Sequence, residues 1–396
     1  MSEQFLKGVR VIALTQVWAG AWMGGVLADM GAEVIKIEST TKLDIYRRSK
    51  EGINREQHFN AYNHGVKSCN LNLKQPEAVE IFKKMVKISD VVIENLSPRA
   101  MPGFGLGYDT LKAIKPDIIM VSVPGFGSTG PDKNYISYAS TVEAVGGLAA
   151  SFGYPGGEPA TPSIFLADPS GGMYGALCVV GAIFHHRKTG KGQHIDVAQS
   201  EAISTFLPEV IMEYSMNGRI RPRMGNRDAI MAPHSCYPCK GDDKWVAIAV
   251  GTDEEWKAMC KVMGNPEWSK NEKFADQYRR WQNQDELNKL VGGWTRDFTH
   301  YEVMHMLQKA GVAAGVSFST EEMYNDPHIK ARGPFIEKDH LEGGKSLTWR
   351  APWKSALTAQ NPPAPLFGQH NSYVFQNLLG MSDAEMTRLV EQKVIY

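Results

Sequence analysis

Asp168 is the residue of this 396-residue sequence whose surroundings best suit covalent chemistry. It is followed by Pro169, a serine and the pair Gly171 and Gly172, and then by a long apolar segment that ends before Gly190. A carboxylate at a helix N-terminus faces the positive end of the helix dipole and stays ionised at neutral pH. An ionised carboxylate can attack an electrophilic carbonyl, so Asp168 is a candidate nucleophile.

The same residues also have a purely structural interpretation. Asp followed by Pro is typical of a helix start, with Asp168 as the N-cap and Pro169 at the first helical position. The pair Gly171 and Gly172 lets a substrate or another backbone approach closely. The two interpretations are compatible, because a capping carboxylate can present its second oxygen to a cleft.

A second group of reactive residues lies further along the chain. Cys236 and Cys239 form a C-x-x-C pair with His234 nearby, which is a pattern of metal and redox sites. A structural zinc usually needs two such pairs, and the other three cysteines are scattered. The pair also leads into a strand, whereas redox pairs start a helix. We interpret it as structural and predict no metal site.

The pattern of apolar residues predicts an α/β fold around Asp168. Strands are predicted at 9–14, 33–37, 90–93 and 118–123, and helices at 21–30, 76–88, 140–151 and 199–217. Strands that alternate with helices indicate a Rossmann-like, doubly wound parallel sheet. The glycines after the first strand lack the G-x-G-x-x-G spacing, so the sequence does not support a dinucleotide site.

Composition changes near Gly218, where arginines cluster around Gly225 and Asn226. We therefore predict a large domain over 1–218 and a linker with a smaller α+β domain over 219–328. Tryptophans supply the core of the smaller domain, and a further segment covers 329–396. The tryptophans in question are Trp256, Trp268, Trp281 and Trp294.

The charge balance limits the classes of partner. The chain has 43 basic and 43 acidic residues, which favours neither nucleic acid nor a membrane surface as a partner. No apolar run approaches the length of a membrane-spanning helix, and the first residues do not form a signal peptide. Five cysteines suit a reducing compartment. We expect a cytoplasmic protein.

Several segments together resemble the class III CoA-transferases, the CaiB/BaiF-type family of formyl-CoA:oxalate and carnitine CoA-transferases. Asp168 and its glycine pair are followed by the pattern Arg187-x-Thr189-Gly190-x-Gly192-Gln193-x-x-Asp196. Matching segments lie at 8–12, 32–38, 93–95, 123–126, 225–226 and 365–370. The resemblance covers nearly the whole chain, places 329–396 back on the large domain and implies an interlocked homodimer, or a heteromer with a related subunit.

The resemblance implies an enzyme that moves CoA from an acyl-CoA donor to a carboxylic acid acceptor. Asp168 attacks the donor thioester, and an aspartyl-CoA thioester forms on its side chain. Backbone N–H groups of Gly171, Gly172 and Gly251 are candidate oxyanion donors. No cofactor is bound permanently, since the coenzyme A thioester is itself a substrate.

The residues that contact CoA or substrate in this family carry over by position. They correspond to Gln16, Trp18 and Ala19, to Leu71, Asn72, Leu73 and Lys74, to Asn95, Leu96 and Ser97, and to Tyr138 beside the thioester. The family usually has an arginine for a CoA phosphate where this chain has Gly103, and Arg99 is the candidate replacement.

Two further differences from formyl-CoA transferases concern which acid the enzyme accepts. Formyl-CoA transferases have an acidic residue at the position of Ala139 and a glutamine at that of Trp18. These differences argue against oxalate and favour a bulkier acid, either aromatic or dicarboxylic, for example in succinyl-CoA:benzylsuccinate transfer. One alternative is an α-methylacyl-CoA racemase, but the histidine of the racemases is missing from 131–138. Another is a non-catalytic CoA-binding subunit of a hetero-oligomeric transferase.

Overall fold

A computed structural model of the chain describes residues 4–48, 50, 52–162, 164–355, 357–358 and 360–396, without the side chain of Ser346. The chain forms two compact units. The first contains residues up to Ser151, Ala160–Arg221 and Gly333–Tyr396, and the second contains Phe152–Pro159 and Pro222–Arg332. The short segment Phe152–Pro159 therefore belongs to the second unit, although the sequence assigns it to the large domain.

The first part of the chain alternates strands and helices. Its elements are β1 (Arg10–Leu14), α1 (Val17–Asp29), β2 (Glu33–Glu38), α2 (Gln57–Tyr62), β3 (Lys67–Asn70), α3 (Pro76–Lys87), β4 (Val91–Glu94), α4 (Ala100–Gly103), α5 (Tyr108–Ile114), β5 (Ile119–Ser122), α6 (Ala139–Val145), α7 (Leu148–Ser151), α8 (Ala167–Thr189), β6 (His194–Asp196), α9 (Gln199–Ser204) and α10 (Pro208–Asn217). Two turns of 3-10 helix, Thr40–Lys42 and Ile45–Arg47, follow β2.

The six strands form one parallel sheet in the order β3-β2-β1-β4-β5-β6. This confirms the predicted Rossmann-like α/β class. From β1 the sheet is extended in one direction by β2 and β3 and in the other by β4, β5 and β6, so the strand order reverses between β1 and β4. In open α/β sheets ligands bind at such a reversal, outside the carboxyl ends of the strands.

Alternate residues of the central strands face two separate cores, because side chains point to opposite faces along a strand. Ile12 contributes to a core that includes Phe82 of α3. Val11 contributes to the other core, which includes Met23 of α1 and Val179 of α8. Helices α1 and α8 therefore cover the same face of the sheet.

The helix predicted over 199–217 is divided in two. Pro208 is the first residue of α10, and α9 ends at Ser204. Proline has no N–H to donate and clashes with the preceding turn, so it starts a new helix. Helix α8 ends as predicted, with Gly190 in the left-handed conformation at φ 70°. No helix in the described ranges is long and apolar enough to cross a membrane.

The second unit combines a small sheet with helices. Its elements are β7 (His234–Pro238), β8 (Trp245–Ala249), α11 (Asp253–Val262), α12 (Gln277–Gln282), α13 (Gln284–Thr295), α14 (His300–Lys309), β9 (Ala313–Ser317), α15 (Thr320–Asn325) and α16 (Pro327–Arg332). The strands pair antiparallel in the order β7-β8-β9. Trp256 is buried in its core, with Trp268 and Trp294 packed against it. The indole N–H of Trp281 instead donates to the Asp228 carbonyl.

Residues from Gly333 onward return to the first unit. They form the antiparallel hairpin of β10 (Phe335–His340) and β11 (Gly344–Trp349), a π-helical turn over Tyr373–Leu378, and α17 (Asp383–Glu391). The end of β3 holds this segment in place. The Asn70 N–H donates to Asn371 Oδ1 at 2.8 Å, and the Asn72 N–H donates to the Val394 carbonyl at 2.9 Å.

Candidate active site

Asp168 is the second residue of α8, which begins at Ala167 with Leu166 at the N-cap. The Ala167 N–H points to Glu143 Oε1 of α6, at 3.4 Å. A side chain from a distant helix therefore replaces a local cap at this helix start. The predicted N-cap role of Asp168 is wrong, and its carboxylate is not used to cap its own helix.

The Asp168 carboxylate is poorly solvated. Burial raises the pKa of Asp168 to about 6, and the negative charge of Glu143 adds to this rise. The nearby backbone N–H of Ala19, in the first turn of α1, acts in the opposite direction and lowers the pKa. The carboxylate is still ionised at neutral pH, but it is less stabilised there than it would be in water. These are the properties of an activated carboxylate nucleophile.

Two tyrosines lie close enough to feel the charge of Asp168. Burial, followed by the charges of Tyr62 and Asp168, raises the pKa of Tyr46 to about 12. Burial and the charge of Asp168 also raise the pKa of Tyr62. Both hydroxyls therefore remain protonated at neutral pH and can donate hydrogen bonds.

Gly171 and Gly172, the candidate oxyanion donors, lie inside α8. Their N–H groups bond within the helix, and their lack of side chains serves packing. A Cβ at Gly172 would stand 2.6 Å from the Ala19 carbonyl oxygen and 3.2 Å from Trp22 Cβ. The glycine therefore lets α8 approach α1 closely, which brings Asp168 to the Ala19 N–H.

Five aromatic rings form a cluster beside this contact, here called the aromatic cluster: Trp18, Trp22, Tyr46, Tyr62 and Trp349. Trp18 stacks on Tyr62 with 5.0 Å between ring centroids, and Trp349 lies 5.2 Å from Tyr62 and 5.4 Å from Trp22. The indole nitrogens of Trp18 and Trp22 are buried and have no hydrogen-bond partner among the described residues. Buried indole N–H groups usually have an acceptor, so these two are unusual.

Other predicted residues gather at the carboxyl ends of β1, β3 and β4. The Gln16 N–H donates to Asn95 Oδ1, and Asn95 Nδ2 donates to the Gln16 carbonyl, both at 2.8 Å. A pocket of about 110 Å³ lies beside this pair. Its lining includes the predicted residues Gln16, Leu71, Asn72, Leu73, Lys74 and Leu96, and also Lys42.

The loop between β1 and α1 is held in a strained conformation. Val17 has φ 57°, which is unusual for a β-branched residue. The Val17 N–H points to both carboxylate oxygens of Asp44, at 3.2 and 3.3 Å, and Asp44 also pairs with buried Lys36 at 3.2 Å. This buried ion pair fixes the positions of Gln16, Val17 and Trp18.

The remaining predicted residues lie outside these contacts. Ser97 and Arg99 are exposed at the start of α4, where the Ser97 carbonyl accepts the Ala100 N–H at 2.8 Å. Tyr138 precedes α6 and its side chain is exposed. Gly251 lies in the second unit, where its N–H donates to Glu255 Oε2 at 2.6 Å.

Four residues of the site are absent from the sequence-based predictions. Glu143, Tyr46, Tyr62 and Trp349 come from separate elements that only the folded chain brings together. A clue exists for Glu143, because it is the one charged residue in the small-residue segment 139–151. A charge in such a closely packing helix calls for a specific role.

The chain matches the model of CoA-transferase family III over residues 6–371. It is 32% identical to succinyl-CoA–D-citramalate CoA-transferase of Chloroflexus aurantiacus, over 98% of both chains. It is 34% identical to the alpha subunit of succinyl-CoA–L-malate CoA-transferase of Chloroflexus aurantiacus, over 98% of this chain and 92% of the relative. A crystal structure of a CaiB/BaiF family protein from Brucella suis is 30% identical, with a TM-score of 0.85 over 95% of this chain and 100% of that one.

The chain therefore belongs to CoA-transferase family III, and the resemblance seen in the sequence is confirmed. It is an enzyme of the transferase class, a CoA-transferase. The family acts on CoA thioesters as substrates.

Proposed function

We propose that Asp168 is the nucleophile that carries CoA during transfer. The observation that carries this proposal is the desolvated Asp168 carboxylate, whose pKa is raised to about 6 beside the first turn of α1. Burial withholds the solvation that would make the carboxylate unreactive.

The reaction then proceeds by exchange at two carbonyls. An Asp168 oxygen forms a bond to the acyl carbon of the donor, the C–S bond breaks, and CoA leaves as the thiolate. The thiolate attacks Asp168 Cγ, the anhydride C–O bond breaks, and the donor acid leaves as its carboxylate. The aspartyl-CoA thioester then reacts with the acceptor carboxylate through the same steps in reverse.

We place part of the CoA arm in the pocket beside Gln16 and Asn95. The pocket lies at the reversal of strand order, where α/β sheets bind ligands. At about 110 Å³ it is smaller than the roughly 300–1,000 Å³ of a site that encloses a drug-sized ligand. It therefore takes one segment of the arm, and Lys42, Lys74 and Arg99 are the cations available to the phosphates.

The aromatic cluster supports an acid larger than oxalate. Its rings offer apolar surface to an aryl or other bulky group, since Trp18 and Trp22 are only partly buried. The two relatives act, by name, on succinyl-CoA and on the dicarboxylic acids citramalate and malate. We propose succinyl-CoA as donor and an aryl-substituted dicarboxylic acid, such as benzylsuccinate, as acceptor.

We also propose that the chain works as a homodimer or with a related subunit. Large apolar side chains are exposed on the first unit, among them Leu177 and Phe184 of α8 and Met216 of α10. Exposed apolar side chains that lie together on a surface are typical of an interface. The alpha subunit among the relatives belongs, by name, to an enzyme with unlike chains.

The test of the nucleophile is chemical labelling of the whole protein. After incubation with succinyl-CoA, hydroxylamine or borohydride should mark the peptide that contains Asp168. Asp168→Asn should lose both the label and transfer, because a neutral amide is a far poorer nucleophile. The control is Asp109→Asn, which changes an exposed first-turn aspartate of α5 and should keep both. An active Asp168→Asn enzyme without reversion to Asp, or a label on another peptide, would rule the proposal out.

A further inference from the structure

Glu143 of α6 is a buried carboxylate in an apolar setting. Its side chain has no exposed surface, and the neighbouring core consists of Ala139, Val142, Ala167 and Ile203. Oε1 receives the Ala167 N–H at the long distance of 3.4 Å, and Oε2 is buried without a hydrogen-bond partner among the described residues. Buried carboxylates are rare unless they are paired, so this one needs a reason.

The position of Glu143 connects it to Asp168. The residue it contacts, Ala167, immediately precedes Asp168 at the start of α8, where the chain direction is fixed by the helix. Glu143 is also the one side chain whose charge raises the pKa of Asp168, after the larger effect of burial. The two carboxylates therefore share a poorly solvated region at one helix end.

The other ionisable groups around this region do not offset the two negative charges. Tyr46 and Tyr62 face Asp168, and the raised pKa of each hydroxyl keeps it neutral. Helix α1 has no ionisable side chain before Asp29 at its far end. On α9, which packs against α6 and α8, the one ionisable side chain is Glu201, which is exposed.

We propose that Glu143 is a positioning residue whose negative charge drives Asp168 toward its covalent state. This inference rests on the proposed nucleophilic role of Asp168. The free enzyme holds two carboxylates in a poorly solvated region, where like charges repel strongly.

Acylation removes one of the two charges. The new bond joins an Asp168 oxygen to the acyl carbon, and the charge leaves with the CoA thiolate. When the thiolate attacks Asp168 Cγ, the charge leaves with the donor carboxylate. Asp168 stays neutral in the anhydride and in the aspartyl-CoA thioester, so the repulsion with Glu143 is absent in both. The charge of Glu143 thus destabilises the ionised nucleophile and not the intermediates.

The experiment compares Glu143→Gln with the unchanged protein. Glutamine keeps an oxygen for the Ala167 N–H and nearly the same shape, but it removes the charge. At pH 7.5 and a fixed ratio of succinyl-CoA to succinate, mass spectrometry gives the fraction of protein present as the aspartyl-CoA thioester. We expect the equilibrium constant for that state to fall about tenfold, as for one pKa unit. The acidic limb of the rate of thioester formation should move to lower pH, and the melting temperature should not fall.

Two further variants separate charge from packing. Glu201→Gln removes an exposed carboxylate from α9 and should leave the equilibrium and the pH profile unchanged. Glu143→Asp keeps the charge, but its shorter side chain loses the contact to the Ala167 N–H. Its equilibrium constant for the thioester should therefore equal that of the unchanged protein, even if its melting temperature is lower. If Glu143→Gln does not fold, Glu143→Asp provides the test. A tenfold fall in the equilibrium constant for the thioester in Glu143→Asp, which keeps the charge, would overturn the inference.

The outcomes also distinguish this inference from the proposal on which it rests. An unchanged equilibrium and pH profile in Glu143→Gln, with the label still on Asp168, would reduce Glu143 to a helix cap and overturn only the inference. Absence of the label on Asp168 in the unchanged protein would overturn both.

Discussion

The side-chain amide of Asn95 pairs with both backbone polar groups of Gln16, each at 2.8 Å. This pairing joins the end of β4 to the start of α1, across the point where the strand order reverses. Gly20 makes room for it, since a Cβ there would stand 2.5 Å from Asn95 Oδ1. Only an amide side chain can donate and accept in this way at once.

Asn95→Asp should therefore weaken both the fold and CoA binding. Aspartate keeps the acceptor for the Gln16 N–H but leaves the Gln16 carbonyl without its donor. We expect the free energy of unfolding to fall by about 1–3 kcal/mol. The Kd for CoA, measured by calorimetric titration, should rise. Asn134→Asp, at an exposed position, is the matched control. Equal CoA affinity in both variants would contradict a role for this pair in the site.

Asp168→Asn should make the protein more stable at neutral pH while it removes activity. The folded chain binds the Asp168 proton more tightly than the unfolded chain, because burial raises the pKa from its usual 3.8 to about 6. Stability therefore falls as pH rises through that window and stays lower above it. We expect a gain of about 1–3 kcal/mol in urea unfolding at pH 7.5, and none at pH 3.5. A loss at pH 7.5 would show that the carboxylate is favourably solvated.

Gly172→Ala should separate α8 from α1. The new Cβ would stand 2.6 Å from the Ala19 carbonyl oxygen, which belongs to the backbone and cannot move alone. We expect a loss of about 1–3 kcal/mol in stability and a larger loss of turnover, because Asp168 moves away from the Ala19 N–H. Gly181→Ala on the same helix is the control, since no described atom lies within 4 Å of its added Cβ. That change should raise stability by up to about 1 kcal/mol. Equal effects from the two substitutions would remove the argument for close packing.

Trp18 should affect both packing and the choice of acid. Trp18→Gln removes the stack on Tyr62, and we expect a loss of about 1–3 kcal/mol, less than for a fully buried tryptophan. It should also change kcat/KM for benzylsuccinate more than for succinate. Trp18→Phe keeps a stacking ring but lacks the indole N–H, so it should recover most of the stability. An equal loss for both acids, in both variants, would assign Trp18 to packing alone.

The exposed apolar side chains predict association in solution. Sedimentation should give at least twice the chain mass of 43.9 kDa at micromolar concentration and below. Leu177→Glu, which puts a charge on the exposed face of α8, should shift the protein toward the single chain. A folded, active single chain for the unchanged protein would contradict the proposed dimer.

Local sequence patterns predicted the central sheet well. The apolar stretches of β1 and β5 are short and bounded by polar or turn residues, so their identity depends little on the rest of the chain. Prediction was weaker where a distant group decided the outcome. Helix α8 starts two residues earlier than an N-cap at Asp168 predicts, and Glu143 of α6 supplies an acceptor for its first N–H in place of a local N-cap.

The sequence predicted the site residues that follow strands, but not the aromatic residues around Asp168. Gln16 lies two residues after β1 and Asn95 one residue after β4, so a parallel sheet in which these strands are neighbours brings them together. Tyr62 and Trp349 are 287 positions apart in the chain, and their 5.2 Å contact depends on where the hairpin of β10 and β11 lies. No periodicity or spacing records such a contact, because it results from tertiary packing alone.

The division of the first unit into separate stretches of chain has a consequence for biosynthesis. Val394 accepts the Asn72 N–H, and Ile395 is fully buried in the core that contains Ile12 and Phe82. A translating ribosome releases these residues only after the whole second unit, so the core around Ile12 and Phe82 lacks its C-terminal part in the nascent chain. The second unit can therefore fold before the first. Until the C-terminal residues are available, the first unit is an incompletely folded and aggregation-prone intermediate, to which chaperones would bind. Folding of the nucleophile-bearing unit is in this sense a post-translational event.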